Sequence, residues 1–529
     1  MIDLGNSYEN QQKLIASLRD SILYPESSAS AQLIETHISW VLLAGPYAYK
    51  IKKALNLGFL DYSTLDARRF YCDEEIRLNR RTAPDIYLDT VAIGGSPDNP
   101  RLGAQPAIEY AVRMRHFAAE QLMDSQLVHG RVAPLHIDNL AGNIAGFHAS
   151  IPAAQADSGF GTAATIRAAA MENFSQLRLW LTDDANRARI DALQSATEAT
   201  VESCKKYFGA RLAQGFVREC HGDLHLGNIV LDGDVPVLFD CIEFNPALRW
   251  IDVMNEIAFA VMDLLHRDHA EFAWRFLNAY LEASGDYGGV SVLRFYLGYR
   301  AAVRAKVCAI RSGQTGISAQ VKSSELTECG NYLALARQCL ERHRPVLIIT
   351  HGLPGSGKTL FSQLALQRLG AIRIRSDVER KRIFGVDKLE SSCRLAMDIY
   401  SPNATKKTYA RLLELAGEIL RAGFPVIVDA AFLRLDERES FHQLAKNMSL
   451  PFAIASLHAD DVTLRERLRL RRNDASEADV AVLEKLKSVQ QLLLATEFAY
   501  SVSFTTEETP DSAANSQAWG RFEEMLKAL

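Results

Sequence analysis

Apolar and polar positions divide the chain into two textures that meet near residue 345. On the C-terminal side, short apolar runs rich in β-branched residues alternate with longer stretches of helical period. The runs at 346–350, 372–375, 425–428, 452–457 and 502–504 predict buried strands, and 407–421 and 462–470 predict helices between them. Such alternation predicts an α/β domain with a parallel sheet covered on both faces, over about 344–529. Arg344-Pro345 breaks any helix running through the polar, helix-prone stretch 323–343. The N-terminal side differs. Strand-like runs at 39–43 and 47–51 flank the turn Ala44-Gly45-Pro46. A helix is expected over 66–81, with further strand-like sequence at 88–93 and 108–114. Beyond about residue 160 helices dominate, apart from one short hairpin. A small β-rich lobe before a larger helical lobe is the expected architecture.

Composition narrows the classes. The 529 residues predict more than one domain, and 48% hydrophobic with 23% charged residues is ordinary for soluble globular proteins. The 59 basic and 64 acidic residues nearly cancel, to −5, which argues against a nucleic-acid coat or a polybasic membrane protein. The start is polar and no run of 18 apolar residues occurs, so neither a secretory signal nor a membrane span is expected. The eight cysteines form no CxxC pair, the pattern of reduced thiols in a cytoplasmic protein.

Gly352-Leu353-Pro354-Gly355-Ser356-Gly357-Lys358-Thr359 fits GxxxxGK[ST] between an expected strand and an expected helix. Glycines let backbone N–H groups curl round phosphates, and the helix N-terminus adds partial positive charge. Lys358 is expected to reach the β/γ-phosphates of ATP, and Thr359 to hold Mg2+. Asp429, ending the run 426–428, is the candidate second carboxylate on Mg2+ or water. Asp377 follows the strand-like 372–375 at the sheet's C-terminal edge, where it can accept a proton from an attacking hydroxyl. Arg467 and Arg471, four apart on one helical face, are candidates for a lid over the phosphates. The charge run that holds them is equally the pattern of a solvated helix or of a groove for a nucleic-acid end.

A second constellation lies at His221-Gly222-Asp223-Leu224-His225-Leu226-Gly227-Asn228, which matches HxDxxxxN. Asp232-Gly233-Asp234 between apolar runs predicts a hairpin. Folding about Gly233–Asp234 brings Asn228 beside Asp240, an amide oxygen and a carboxylate suited to Mg2+. Asp223 then faces the incoming hydroxyl as base, with Asn228 and Asp240 on the metal. His221 and His225 are read as loop-shaping, and with no third ligand nearby zinc is not expected.

Residues 344–529 resemble the small P-loop kinases, a group that includes gluconate-kinase-like, polynucleotide-kinase-like and zeta-toxin-like proteins. Residues 30–310, through the HGDLHxGN loop, resemble the aminoglycoside phosphotransferase branch of the protein-kinase-like fold. That resemblance implies a strand lysine on the α/β-phosphates and a helix glutamate that holds it. Lys50 is preferred to Lys52, because Ala48 two residues earlier would then lie under the adenine; Glu75 is preferred to Glu74. It also implies that Asp252 braces the catalytic loop and that 108–112 lends hinge backbone to adenine. Asp240 is followed by Cys241-Ile242 where protein kinases have Phe-Gly, and no GxGxxG loop is present, with Ala44-Gly45-Pro46 as a short substitute.

The whole arrangement resembles bacterial bifunctional proteins described as aminoglycoside-phosphotransferase-like with an ATP-binding domain. The fold expected is a bilobal α+β protein-kinase-like domain with a C-terminal helical linker at 1–343, followed by an α/β P-loop kinase domain with a parallel sheet at 344–529. The expected function is ATP- and Mg2+-dependent phosphoryl transfer, from two nucleotide sites, to the hydroxyl of a small molecule. The rivals are an ATP-gated regulatory protein with one inactive kinase half, and a polynucleotide or nucleotide-sugar kinase using the C-terminal domain. Nucleic acid is expected, if at all, only at that domain.

Overall fold

The computed structural model describes residues 4–20, 23–24, 26, 30–58, 60–314, 316–388, 390, 399–470, 475–505 and 517–528. The chain forms two compact units, Met1–Ala169 with Phe208–Asp263 and Ala170–Tyr207 with Leu264–Leu529.

In the first unit, β1 (Gln32–Glu35), β2 (Ser39–Ala44), β3 (Tyr47–Lys52), β4 (Tyr87–Ser96), β5 (Asn99–Leu102) and β6 (Ala107–Arg115) form an antiparallel sheet in the order β1-β2-β3-β6-β4-β5. Successive side chains of a strand point to opposite faces, and β3 uses both. Tyr49 and Ile51 join Trp40, Leu42 and Leu14 in one apolar cluster. Ala48 packs in another with Cys72, Ile76, Tyr87 and Val112. Lys50 and Lys52 share the face of Ala48, towards the helix Leu65–Asn79, whose first turn is capped by Thr64 accepting from the Ala67 N–H at 3.1 Å.

The rest of this unit includes the helix Pro134–Ser150, the strand pair β7 (Val217–Glu219) and β10 (Trp250–Asp252), and the hairpin β8 (Ile229–Asp232) and β9 (Val235–Leu238). Gly233 turns that hairpin at φ 59°, a left-handed conformation that suits glycine. The Ile229↔Leu238 register sets Asn228 opposite Phe239, whose N–H donates to the Asn228 carbonyl at 3.1 Å. Asp240 therefore lies one residue beyond direct opposition to Asn228.

In the second unit, β11 (Leu347–His351), β12 (Ile372–Arg375), β13 (Val426–Asp429), β14 (Phe452–His458) and β15 (Ser501–Thr505) form an all-parallel sheet in the order β12-β13-β11-β14-β15. Each expected strand is present within a residue or two. The helix Lys358–Leu369 follows β11 directly. The helices Ala270–Ser284, Val290–Ser312 and Ala319–Leu340 belong to this unit as well, so it runs across residue 343. Asn278 shows the contact: its amide donates to the Ala371 carbonyl at 2.9 Å and accepts from the Arg373 N–H at 2.7 Å, capping the edge strand β12. Among the described residues, no helix is long and apolar enough to cross a membrane.

Candidate active sites

The first site assembles around β3. Lys50 Nζ lies 2.8 Å from Glu75 Oε1 and 2.6 Å from Asp240 Oδ1. Burial opposes the ammonium charge, but Asp240, Glu75 and Glu243 outweigh it and hold the Lys50 pKa well above the usual lysine range. Burial likewise opposes the Glu75 carboxylate; Lys50 and Lys52 reverse that effect and lower its pKa. Glu75 is thus shared, since its second oxygen meets Lys52 Nζ at 2.7 Å. Glu74 instead pairs with Arg77 and Arg249.

Asp240 has φ 63°, and its N–H donates to the Tyr87 hydroxyl at 3.1 Å. Asn228 gives its amide N–H to the Asp223 carbonyl at 2.9 Å and to Asp223 Oδ2 at 3.1 Å. That leaves its amide oxygen as the atom offered to a cation. An amide oxygen and a carboxylate are the hard donors that a divalent cation such as Mg2+ takes, so this donor set fits one.

Residues outside the motif hold this loop in place. Glu256 accepts from the backbone N–H of His221 at 3.1 Å and of Gly222 at 2.7 Å, and lies 3.0 Å from His148 Nε2. Asp263 accepts from the Leu226 N–H at 2.9 Å. His225 Nδ1 accepts from the Gly227 N–H, so its Nε2 carries the proton, 3.5 Å from Asp223 Oδ2. His221 Nε2 lies 2.8 Å from the Phe239 carbonyl.

Two expectations are corrected here. Asp252 does not brace the catalytic loop: its carboxylate is taken by Arg211, at 2.7 and 2.8 Å, and by the Met254 N–H. The bracing carboxylates are Glu256 and Asp263. They had a signal in the sequence, two acids seven apart on the predominantly apolar helix Val253–His266. Residues 108–112 do not form a hinge either, because Ala111 and Val112 pair with strands on both sides. The strand ends at Arg115, after which Phe117 packs edge-on to Phe239 at 5.0 Å.

The partners of Lys52 had no signal in the sequence. Lys52 is fully buried and pairs with Glu243, which also accepts from the Tyr62 hydroxyl at 2.5 Å. Glu243 lies three residues past Asp240, in a loop with no period to mark it.

The second site forms at the C-terminal edge of the parallel sheet. Gly352 adopts φ 149°, and a Cβ there would come 2.4 Å from the Leu457 carbonyl oxygen. At Gly355, φ 84°, a Cβ would lie 3.0 Å from the Leu464 carbonyl oxygen, and Gly357 adopts φ 89°. The loop therefore needs glycine at these positions to hold its N–H groups in a cradle, a shape suited to phosphates. Leu353, Pro354 and Ser356 complete it, with Ser356 buried. Lys358 Nζ donates to the Leu353 carbonyl at 2.8 Å, and Arg467 reaches the Gly355 carbonyl at 3.2 Å. Arg471 lies outside the described residues.

Asp429 accepts from the Ser362 hydroxyl at 3.1 Å. Lys358, Thr359, Asp377 and Asp429 all line one cavity of about 350 Å3, with Tyr400, Tyr409 and Leu433 among its other walls. The hydroxyl of Thr359 and the carboxylate of Asp429 are again hard oxygen donors that fit a divalent cation.

The folds are those of a phosphotransferase-like kinase portion followed by a P-loop kinase-type domain on one chain. Residues 98–293 match the model of the phosphotransferase enzyme family, and residues 347–493 match that of an AAA domain. The protein is an ATP-dependent phosphotransferase of the kinase class. Lys50 and Glu75 precede the first matched stretch. An uncharacterized protein of Mycobacterium tuberculosis (strain H37Rv) is 28% identical over 462 residues, which span 86% of this chain and 89% of that relative. Among solved structures, an amicoumacin kinase in complex with AMP-PNP, Ca2+ and Ami is 13% identical, with 63% of this chain and 95% of that one covered and a TM-score of 0.39. A gluconokinase from Sinorhizobium meliloti 1021 is 18% identical, with 35% and 97% covered and a TM-score of 0.27.

Proposed function

We propose that the chain has two ATP sites, one in the portion 1–343 and one in 344–529, each phosphorylating the hydroxyl of a small molecule with Mg2+ as the cation. The observation that carries this reading is the position of Lys50 between Glu75 and Asp240, with Asp223 held by Asn228. In the first site Asp223 orients the acceptor hydroxyl and takes its proton, and Lys50 positions the phosphates. Asn228 and Asp240 would hold the cation, which when bound neutralises charge on the phosphate oxygens. Ala48 and the segment after Arg115 line the adenine position.

In the second site the loop 352–359 and Lys358 hold the phosphates, Thr359 and Asp429 would hold the cation, and Asp377 is the base. Arg467, already on the loop, adds positive charge over the phosphates. Positioning and charge neutralisation supply most of the rate in such transfers.

The test is mass spectrometry of small-molecule extracts incubated with the protein and ATP. New phosphorylated species should form with the unaltered chain. Asp223→Ala should remove one set and Lys358→Ala another. If neither substitution changes phosphate transfer or ATP turnover, the reading fails.

A further inference from the structure

The phosphate-loop site is braced from outside its own sheet. Asn278 and Glu282 lie one helical turn apart on the helix Ala270–Ser284, which falls inside the stretch that matches the phosphotransferase family rather than the AAA domain. Asn278 caps the edge strand β12, and Glu282 then meets the two arginines of that strand. Its Oε2 lies 3.2 Å from Arg373 Nη2, its Oε1 lies 3.2 Å from Arg375 Nη1, and Lys388 pairs with the same Oε1. Glu282 is only 5% exposed.

Both arginines lead to Asp429. Arg375 Nε stands 3.9 Å from Asp429 Oδ2. Arg373 Nη1 is 3.5 Å from the Ser362 hydroxyl, which donates to the same Asp429 oxygen. A guanidinium close to a metal-binding carboxylate competes with the cation for it. Glu282 thus shares both arginines with the surroundings of Asp429.

We propose that Glu282 is a positioning residue of the phosphate-loop site, holding Arg373 and Arg375 so that Asp429 keeps its charge for a divalent cation. This rests on the reading of that site as a metal-dependent nucleotide site. It makes a helix from the phosphotransferase-matching stretch part of the P-loop site's working structure. Burial alone would raise the Glu282 pKa, but Arg373, Arg375 and Lys388 outweigh it and hold the carboxyl at about 2, so the charge is present at neutral pH.

The test uses the full chain and the Lys358-dependent part of the binding of a fluorescent ATP analogue, titrated with Mg2+, with circular dichroism as the check on folding. Glu282→Gln frees the arginines to pair with Asp429. The Mg2+ needed for half-saturation should then rise by roughly tenfold or more, the scale expected for groups that orient metal ligands. Arg375→Gln should lower that requirement below the unaltered chain's. The double variant, which removes one charge of each sign, should fall between the two single variants.

An unchanged requirement in folded Glu282→Gln overturns the proposal, as does a double variant at least as impaired as Glu282→Gln. Should Glu282→Gln not fold, the Arg375→Gln arm decides, and an unchanged requirement there overturns it. Absence of any Lys358-dependent binding in the unaltered chain would instead overturn the functional reading of the site.

Discussion

Lys50 and Lys52 stand on the same face of one strand, yet their partners separate their roles. Lys50 meets Asp240, whose side chain is 43% exposed, whereas Lys52 ends among Glu75, Glu243 and Tyr62 with no exposure at all. In the proposed role, Lys50→Met should lower phosphotransfer from the first site by ~100-fold or more with folding intact, because it removes the charge assigned to the phosphates. Lys52→Met should act chiefly on stability, at a cost of about 3–5 kcal/mol, because it leaves Glu243 buried without its cation. Kinetics and urea unfolding on both variants check the pair; the reverse pattern would make Lys52 the phosphate lysine. The motif positions Asp223, Asn228 and Lys358 stood out in the sequence because such motifs have fixed spacing. Glu243 and Tyr62 were not, because they are joined only by the fold.

At the scale of elements, short strands could be placed from apolar runs, and the hairpin from Asp-Gly. The register carried a detail that the pattern did not, with Asn228 opposite Phe239 rather than Asp240. The part hardest to foresee was support across elements, as where the helix Val253–His266 supplies Glu256 to the catalytic loop. Burial would raise the Glu256 pKa. The hydrogen bond from His148, the electrostatic influence of the nearby His148 and His221 rings and the Gly222 N–H outweigh burial and hold it at about 2, against an ordinary 4.5. A carboxyl whose pKa is depressed on folding contributes stability that is complete above its unfolded value and is lost as pH falls through the folded one. Glu256 should therefore contribute roughly 3 kcal/mol above pH ~4.5 that disappears as the pH falls towards 2. Urea unfolding as a function of pH checks this: Glu256→Gln should be less stable at neutral pH and lose less on acidification. Equal acid sensitivity of the two chains would contradict it.

The whole molecule departs most from its sequence reading in how its parts are grouped. The change of texture near residue 345 marks where the parallel sheet begins, yet the compact unit around that sheet also includes the helices from 264 to 340. Asn278, Glu282 and Arg294 tie those helices to the sheet and its connections, with Arg294 donating to the Ala422 and Gly423 carbonyls. Sequence texture locates elements, but a boundary between packed units depends on such long-range polar contacts, which have no period to read. Two ATP sites on one chain would show in the equilibrium binding of a non-hydrolysable ATP analogue with Mg2+. Two molecules should bind per chain at saturation, with Lys50→Met and Lys358→Ala each removing a different one. A stoichiometry of one, or a single site abolished by either substitution, would contradict it.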